Sequence, residues 1–276
     1  MFVRPIQEAL DPPALYKAIC ESLPLFSPLS GGVYKDLAEL TMISANQTLP
    51  LMVCFTNEIR VGRLTEVKQA ASLCGDSSSM ESAEKLRCLF DNYGSDKSTD
   101  HEYHYIYGSL FKNEETVRSV LEIGLGTNDI YKPSNMGTDG KPGASLRAFR
   151  DFFTNANVYG ADIDKRILFE ENRIKTFYVD QTDQKTLHVL GKATEESFDL
   201  IIDDGLHSPN ANLAVLIFGI NKLKPNGWLV IEDIKDKSVP VWQIIAALLP
   251  LNYQPFLVVD KFGSIVFMIK NVSIQN

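Results

Sequence analysis

Two short stretches of the 276-residue chain carry residue types that could do chemistry together: Ile201-Ile202-Asp203-Asp204-Gly205-Leu206-His207 and, 28 positions after Asp204, Ile231-Glu232-Asp233. Each acidic group follows an apolar run, so two strand ends would deliver carboxylates and an imidazole to one place. Burying adjacent carboxylates is costly unless a cation or hydrogen bonds compensate. Hard oxygen ligands suit Mg²⁺, Mn²⁺ or Ca²⁺ better than zinc, and the expected ligands are Asp204, Glu232 and Asp233. His207 lies three residues past Asp204, across Gly205. An imidazole with an ordinary pKa of about 6.5 accepts a proton from a hydroxyl at neutral pH, which makes His207 the expected general base. A lone histidine is more often a packed or surface residue; the neighbouring acidic cluster reverses that preference.

A second set of candidates precedes these. Val120-Leu121-Glu122-Ile123-Gly124-Leu125-Gly126-Thr127 places Gly124 and Gly126 where a strand must turn and a ligand can approach the backbone. The third glycine of the dinucleotide spacing is missing, and Glu122 inside the run suits a ligand with a cationic part rather than a pyrophosphate. Asp162 ends the next apolar run, placed to accept the hydroxyls of a ribose. Asp180 and Gln181 end the one after, for an adenine amino group and the pocket wall. Taken singly each is a cap or turn residue as readily as a ligand; at three successive strand ends they read as one extended site.

The elements that must carry these residues form an alternating pattern from about residue 117: strands 117–124, 158–163, 175–179, 198–203 and 227–232, with helices at 144–153 and 212–223 and a turn at Pro225-Asn226-Gly227. Apolar β-branched runs between helical stretches predict a parallel sheet covered on both faces. Two closing strands, 255–259 and 264–270 around Lys261-Phe262-Gly263, add an antiparallel pair. The fold class expected is α/β, Rossmann-like and doubly wound, with a mostly parallel seven-stranded sheet, an antiparallel last strand and a small, mainly helical N-terminal region.

In that N-terminal region Pro12-Pro13 opens a helix that stops near Pro24, Ser27 to Gly32 reads as a loop, and Leu49 to Phe55 as a short buried strand or helix segment. Gly75-Asp76-Ser77-Ser78-Ser79 reads as a linker, dividing an auxiliary region 1–80 from a main domain 81–276.

A net charge of −8 and scattered Lys and Arg argue against nucleic-acid wrapping and against a membrane-surface helix. Cys20, Cys54, Cys74 and Cys88 form no CxxC pair and read as free intracellular thiols. The first residues lack a secretory pattern and no apolar run approaches the roughly 18 residues of a membrane span, so a cytoplasmic protein is expected.

Leu121-Glu122-Ile123-Gly124, Gly143-Ala144-Ser145-Leu146, Tyr159-Gly160-Ala161-Asp162, Asp180-Gln181, the Asp-Asp-Gly-X-His run and Glu232-Asp233 together resemble the class I S-adenosylmethionine-dependent methyltransferases. Within them, these residues look like the metal-dependent macrolide-sugar O-methyltransferases of the mycinamicin type, over roughly residues 90–235. The resemblance implies S-adenosylmethionine as cofactor, held by Glu122, Gly124, Gly126, Ser145, Asp162, Asp180, Gln181, Asp203 and Lys97. It also implies Mg²⁺ or Mn²⁺ at Asp204, Glu232 and Asp233, a sugar-containing small-molecule acceptor, His207 as base, and a homo-oligomer assembled with help from the N-terminal portion. Asp91 to Ser98, with His101, Tyr103 and Tyr107, corresponds to the segment before the catalytic domain. There Lys97 would meet the cofactor carboxylate and the aromatics would wall the pocket, or the segment is simply a capped helix with a packed aromatic face. Leu206, where a small hydroxyl residue is common, and the loop from Thr127 to Pro142 depart from the pattern. The alternatives carried are a nicotinamide-dependent oxidoreductase and a non-catalytic cofactor-binding assembly protein.

Overall fold

The computed structural model describes residues 12–22, 34–58, 66–111, 113–194 and 197–272. The chain divides into two compact units, Met1–Gly62 and Arg63–Asn276. In the first, α1 (Pro12–Ser22) starts at the predicted proline pair, whose missing N–H costs nothing in a first helical turn. It is followed by α2 (Tyr34–Glu58). The segment Leu49–Phe55 belongs to α2, with Pro50 inside the helix, and it is not buried: Leu51 and Phe55 are 64% and 62% exposed. The loop expected at Ser27–Gly32 lies outside the described residues.

The second unit begins well before the boundary expected at residue 80. Strand β1 (Val67–Gln69) and a 3₁₀ turn, Ala70–Leu73, precede α3 (Ser77–Tyr93). The presumed linker is therefore a helix start. Asp76 caps it, accepting from the Ser79 amide at 2.9 Å while the Ser79 hydroxyl reaches back, a reciprocal arrangement that a run of small polar residues conceals. Then come α4 (Tyr103–Leu110), β2 (Ser119–Ile123), α5 (Ala144–Phe152), β3 (Asn157–Asp162), β4 (Glu170–Glu171), β5 (Ile174–Tyr178), α6 (Gln184–Ala193) and β6 (Phe198–Asp203). The chain closes with α7 (Pro209–Ile220), β7 (Leu223–Ile234), α8 (Val239–Leu248), β8 (Tyr253–Val259) and β9 (Ile265–Asn271). The turn expected at Pro225–Gly227 is absorbed into β7, where Asn226 takes a φ of +64° and the pairing with β6 shifts register.

Among the described residues nine strands form one sheet, ordered β1-β8-β9-β7-β6-β2-β3-β5-β4. The seven expected strands are there, and the short edge strands β1 and β4, too brief to leave an apolar run, extend the sheet by one at each end. Strands β5, β3, β2, β6 and β7 are mutually parallel, and β9 runs antiparallel between β7 and β8. Alternate side chains of the central strands enter two cores. Val120, Leu200, Ile202 and Val230 pack with Leu86, Phe90, Tyr107 and Phe149 of α3, α4 and α5. Leu121, Ile123, Ile201 and Leu229 pack with Leu187, Val215 and Trp242 of α6, α7 and α8. All five residues of β2 are buried, as a strand covered on both faces requires.

Candidate functional site

The carboxyl ends of β2, β3, β5, β6 and β7 meet at one edge of the sheet, where the strand order reverses and open α/β sheets bind ligands. Ile123 pairs with Ala161 on one side and Asp203 on the other, and Asp203 pairs with Ile231, so Gly124, Asp204 and Glu232 lie one step past the last paired residues. At Gly124, φ is +101° and a Cβ would stand 1.9 Å from the Asp204 carbonyl oxygen. Only glycine permits the two strand ends to come this close.

Two adjoining clefts open here. The first is walled by Gly124, Gly126, Asp162, Asp180 and Gln181, all expected cofactor contacts, together with Lys132 and Ser134 from the loop 127–142. Its cavity volume is about 200 Å³. The second shares Gly124, Gly126, Ser134 and Asp204 with the first and adds Asp96, Lys97, Ser145, His207 and Asp233.

On the first cleft the polar groups are held locally. Asp162 accepts from the amides of Leu125 (2.8 Å) and Asp164 (2.7 Å), bracing the glycine turn. Burial nevertheless raises its pKa, more than these amides lower it. Asp180 accepts from the Thr182 amide and hydroxyl. Gln181 spans the site, donating to Asp203 at 2.6 Å and accepting from the Leu206 amide at 2.8 Å.

Asp203, expected to touch the cofactor, does not line either cleft. It is fully buried, with its second oxygen taken by Asn212 Nδ2 at 2.8 Å, and burial raises its pKa to about 6. Two adjacent acids at a strand end point to opposite faces, so only Asp204 reaches the ligand side. Asp203 anchors the turn that carries Asp204 and His207.

The acidic cluster is denser than its sequence implies. Lys97, 2% exposed, places its ammonium 2.5 Å from Asp204 Oδ2, in contact with Glu232 Oε2, and 3.3 Å from Glu122 Oε1. Burial alone would lower the lysine's pKa; Asp204, Glu232 and Glu122 together raise it well above the ordinary value. One ammonium facing three carboxylates leaves negative charge uncompensated. Burial raises Glu122 to about 7 and Glu232 well above the carboxylate range, whereas at Asp204 Lys97 and His207 outweigh burial and lower the pKa. Glu122 accepts from Ser145 Oγ at 2.6 Å, and its other oxygen, Oε1, is buried against the Lys97 ammonium. Such a cavity favours cationic ligands.

Asp204 Oδ1, Asp233 Oδ2 and His207 Nε2 face one another: the imidazole nitrogen is 3.8 Å from Asp204 and 3.9 Å from Asp233, and the three ligand atoms lie within 4.8 Å of each other. His207 and Asp233 both hold φ at +53°, a left-handed conformation costing on the order of 1–3 kcal/mol for a non-glycine residue, and both sit where the site needs them. At Asp233 the cause is visible, because pairing of β7 with β9 slips between Ile231 and Ile234 and re-aims the side chain. Glu232, expected as a third ligand, has both oxygens engaged: Tyr107 donates to Oε1 and Lys97 to Oε2. Oxygen-rich and anionic, the cluster of Asp204 and Asp233 fits a hard divalent cation. These tyrosine contacts were not anticipated; the only signal in the sequence is the four-residue spacing of Tyr103 and Tyr107.

No family model matches the chain. It is 31% identical over 152 residues to 8-demethyl-8-alpha-L-rhamnosyl tetracenomycin-C 2'-O-methyltransferase of Streptomyces olivaceus, spanning 55% of this chain and 38% of that protein. Demethylmacrocin O-methyltransferase of Streptomyces fradiae is 37% identical over 125 residues (45% and 29%), and mycinamicin VI 2''-O-methyltransferase of Micromonospora griseorubida 34% over 125 (45% and 28%). The chain thus spans less than two fifths of the length of these relatives. Among solved structures, the methyltransferase of the mycinamycin biosynthetic pathway in complex with Mg, SAH and mycinamycin VI aligns with a TM-score of 0.55 at 23% identity, over 68% of this chain and 53% of that one. The resemblance to sugar O-methyltransferases of the mycinamicin type is found by both comparisons, and the fold is that of class I methyltransferases.

Proposed function

We propose, starting from the class I methyltransferase fold, that this chain transfers a methyl group from S-adenosylmethionine to a hydroxyl of a sugar-containing small molecule, with a divalent cation, Mg²⁺ or Mn²⁺, at the acceptor. The observation that carries the reading is the meeting of Asp204, Asp233 and His207 beside a cleft walled by Gly124, Asp162 and Asp180. In this reading Asp162 accepts from the ribose and Asp180 and Gln181 border the adenine. Glu122, with Ser145, supplies negative charge beneath the methionine end, its Oε1 facing the Lys97 ammonium at 3.3 Å. Bound S-adenosylmethionine supplies the electrophilic methyl, and the cation supplies charge for the acceptor oxygens.

Asp204 and Asp233 would hold the cation, with Glu232 beside them. His207 Nε2 takes the acceptor's hydroxyl proton. The imidazole's other nitrogen, Nδ1, is buried and has no hydrogen-bond partner among the described residues. The rest of the contribution is positioning and charge control.

The relatives' names place methyl transfer on rhamnosyl tetracenomycin, demethylmacrocin and mycinamicin VI, which supports a glycoside acceptor. The first 62 residues are assigned to assembly with like chains, testable by light scattering after their removal. Among the described residues no helix is long and apolar enough to cross a membrane. The deciding experiment is a screen of glycosides with S-adenosylmethionine, with and without Mg²⁺, reading S-adenosylhomocysteine release. Metal-stimulated turnover on a glycoside is expected; turnover unchanged by EDTA would remove the metal, and tight NAD binding without S-adenosylmethionine binding would remove the reaction.

A further inference from the structure

Helix α4 precedes the first central strand and lines up two phenols one turn apart. Tyr103 Oη donates to Asp233 Oδ1 at 2.5 Å, and Tyr107 Oη donates to Glu232 Oε1. Residues four apart on a helix share a face, and consecutive residues 232 and 233 both turn toward that face because of the register slip in β7. The result is one phenol for each of two adjacent carboxylates. For Asp233 the division of labour is explicit, since Oδ1 is taken by Tyr103 while Oδ2 is the oxygen that faces His207 and Asp204.

The phenols are themselves fixed. The Tyr103 ring is stacked on His101 with centroids 4.6 Å apart, and His101 Nδ1 lies 2.9 Å from Ser264 Oγ in the β8–β9 turn. Tyr107, fully buried, meets Phe149 of α5 edge-on at 5.1 Å. The helix cannot drift, because Gly108 lets it approach α3 so closely that a Cβ there would stand 2.4 Å from the Ala83 Cα. A buried tyrosine needs a partner for its hydroxyl wherever it packs; here both partners are acceptor-side carboxylates, reached across more than 120 positions of sequence.

We propose that Tyr103 and Tyr107 are positioning residues for the divalent cation: α4 sets the orientation of Asp233 and Glu232, and so the affinity of the metal site, without touching the cofactor. This rests on the metal reading above. Groups that orient metal-bound carboxylates by hydrogen bonding typically change metal affinity about 10–100-fold when removed.

The test is Mn²⁺ alone, titrated into the full chain and followed by the loss of its free-ion paramagnetic resonance signal, with S-adenosylhomocysteine affinity measured in parallel by calorimetry. Tyr103→Phe keeps the ring and removes only the hydroxyl; it should weaken Mn²⁺ about tenfold while moving S-adenosylhomocysteine less than twofold. Tyr107→Phe should act in the same direction. Tyr105→Phe, on the same helix but with its ring against His104, should leave both affinities as they are. Unchanged Mn²⁺ affinity in the Tyr103 and Tyr107 variants, with a lowered melting temperature, would overturn the inference and leave the phenols as core residues. If the wild-type chain itself does not bind Mn²⁺, the metal reading fails first and this inference with it. Should Tyr107→Phe fail to fold, Tyr103→Phe decides alone.

Discussion

The two ends of the site are built differently. At the ends of β2, β3 and β5, side chains bond mostly to their own surroundings: Asp162 to the amides of Leu125 and Asp164, Asp180 to Thr182. Past β6 and on β7, Asp204, Glu232 and Asp233 find partners in residues 97–107, with Lys97 reaching 107 positions to Asp204 and 135 to Glu232, and Tyr103 reaching 130 to Asp233. The first end is a loop scaffold whose carboxylates brace glycine turns. The second is a cluster of buried charge assembled from segments far apart in sequence. Changes at the first end should therefore act on cofactor affinity, and changes at the second on metal affinity and turnover.

The largest separation is expected from His207→Ala. A positioned general base contributes about 10²–10⁴-fold, so kcat should fall by roughly a thousandfold while S-adenosylhomocysteine binds within about twofold of wild type. Turnover near the wild-type level would take the imidazole out of the chemistry and leave only its neighbouring carboxylates on the acceptor side.

A smaller and opposite effect is expected from Asp162→Asn. The substitution keeps the shape but gives up the charge that accepts from the Leu125 and Asp164 amides. Hydrogen bonds to a charged group are worth about 1.5–3 kcal/mol, so S-adenosylhomocysteine should bind at least tenfold more weakly, with Mn²⁺ affinity unchanged. Parallel loss of both affinities would show that the two ends are one coupled unit and dissolve the comparison.

The same contrast explains what could be read from the chain before its folding was known. Asp162, Asp180 and Asp204 each close an apolar run and Glu122 interrupts one a residue before its glycine turn, so alternation and run length were enough to place them at or near strand ends. The pairing of Asp203 with Gln181 and Asn212 was out of reach, because Asn212 sits on a helix whose orientation only packing decides. Lys97, Tyr103 and Tyr107 were legible as a polar-aromatic segment near the site but not as partners of Glu232 and Asp233, since nothing local couples them. The edge strands β1 and β4, of three and two residues, are held by pairing alone and leave no periodicity. Left-handed His207 and Asp233 break local preference at the place where function needs them.

Glu122 lies on the border of the two ends and offers the smallest and sharpest test. Its strand β2 belongs to the first end, while Lys97, which serves the second, faces it at 3.3 Å and Ser145 bonds its other oxygen. Burial, only partly offset by Lys97, raises its pKa from 4.5 to about 7. The folded state then binds more protons than the unfolded one between those values, so this group's contribution falls as pH rises through the window and its full cost is reached above about pH 7. A shift of this size corresponds to at most about 3 kcal/mol. Glu122→Gln removes the charge but must satisfy an amide in the same space, so a net gain of about 1 kcal/mol, a few degrees in Tm, is expected at pH 8, shrinking toward zero near pH 4.5. The stabilised variant should bind S-adenosylhomocysteine more weakly, because the charge that destabilises the isolated chain is the one a cationic ligand would neutralise. If instead the variant is less stable than wild type at pH 8, Lys97 holds Glu122 ionised as part of the acceptor cluster, and the border between the ends runs on the other side of β2.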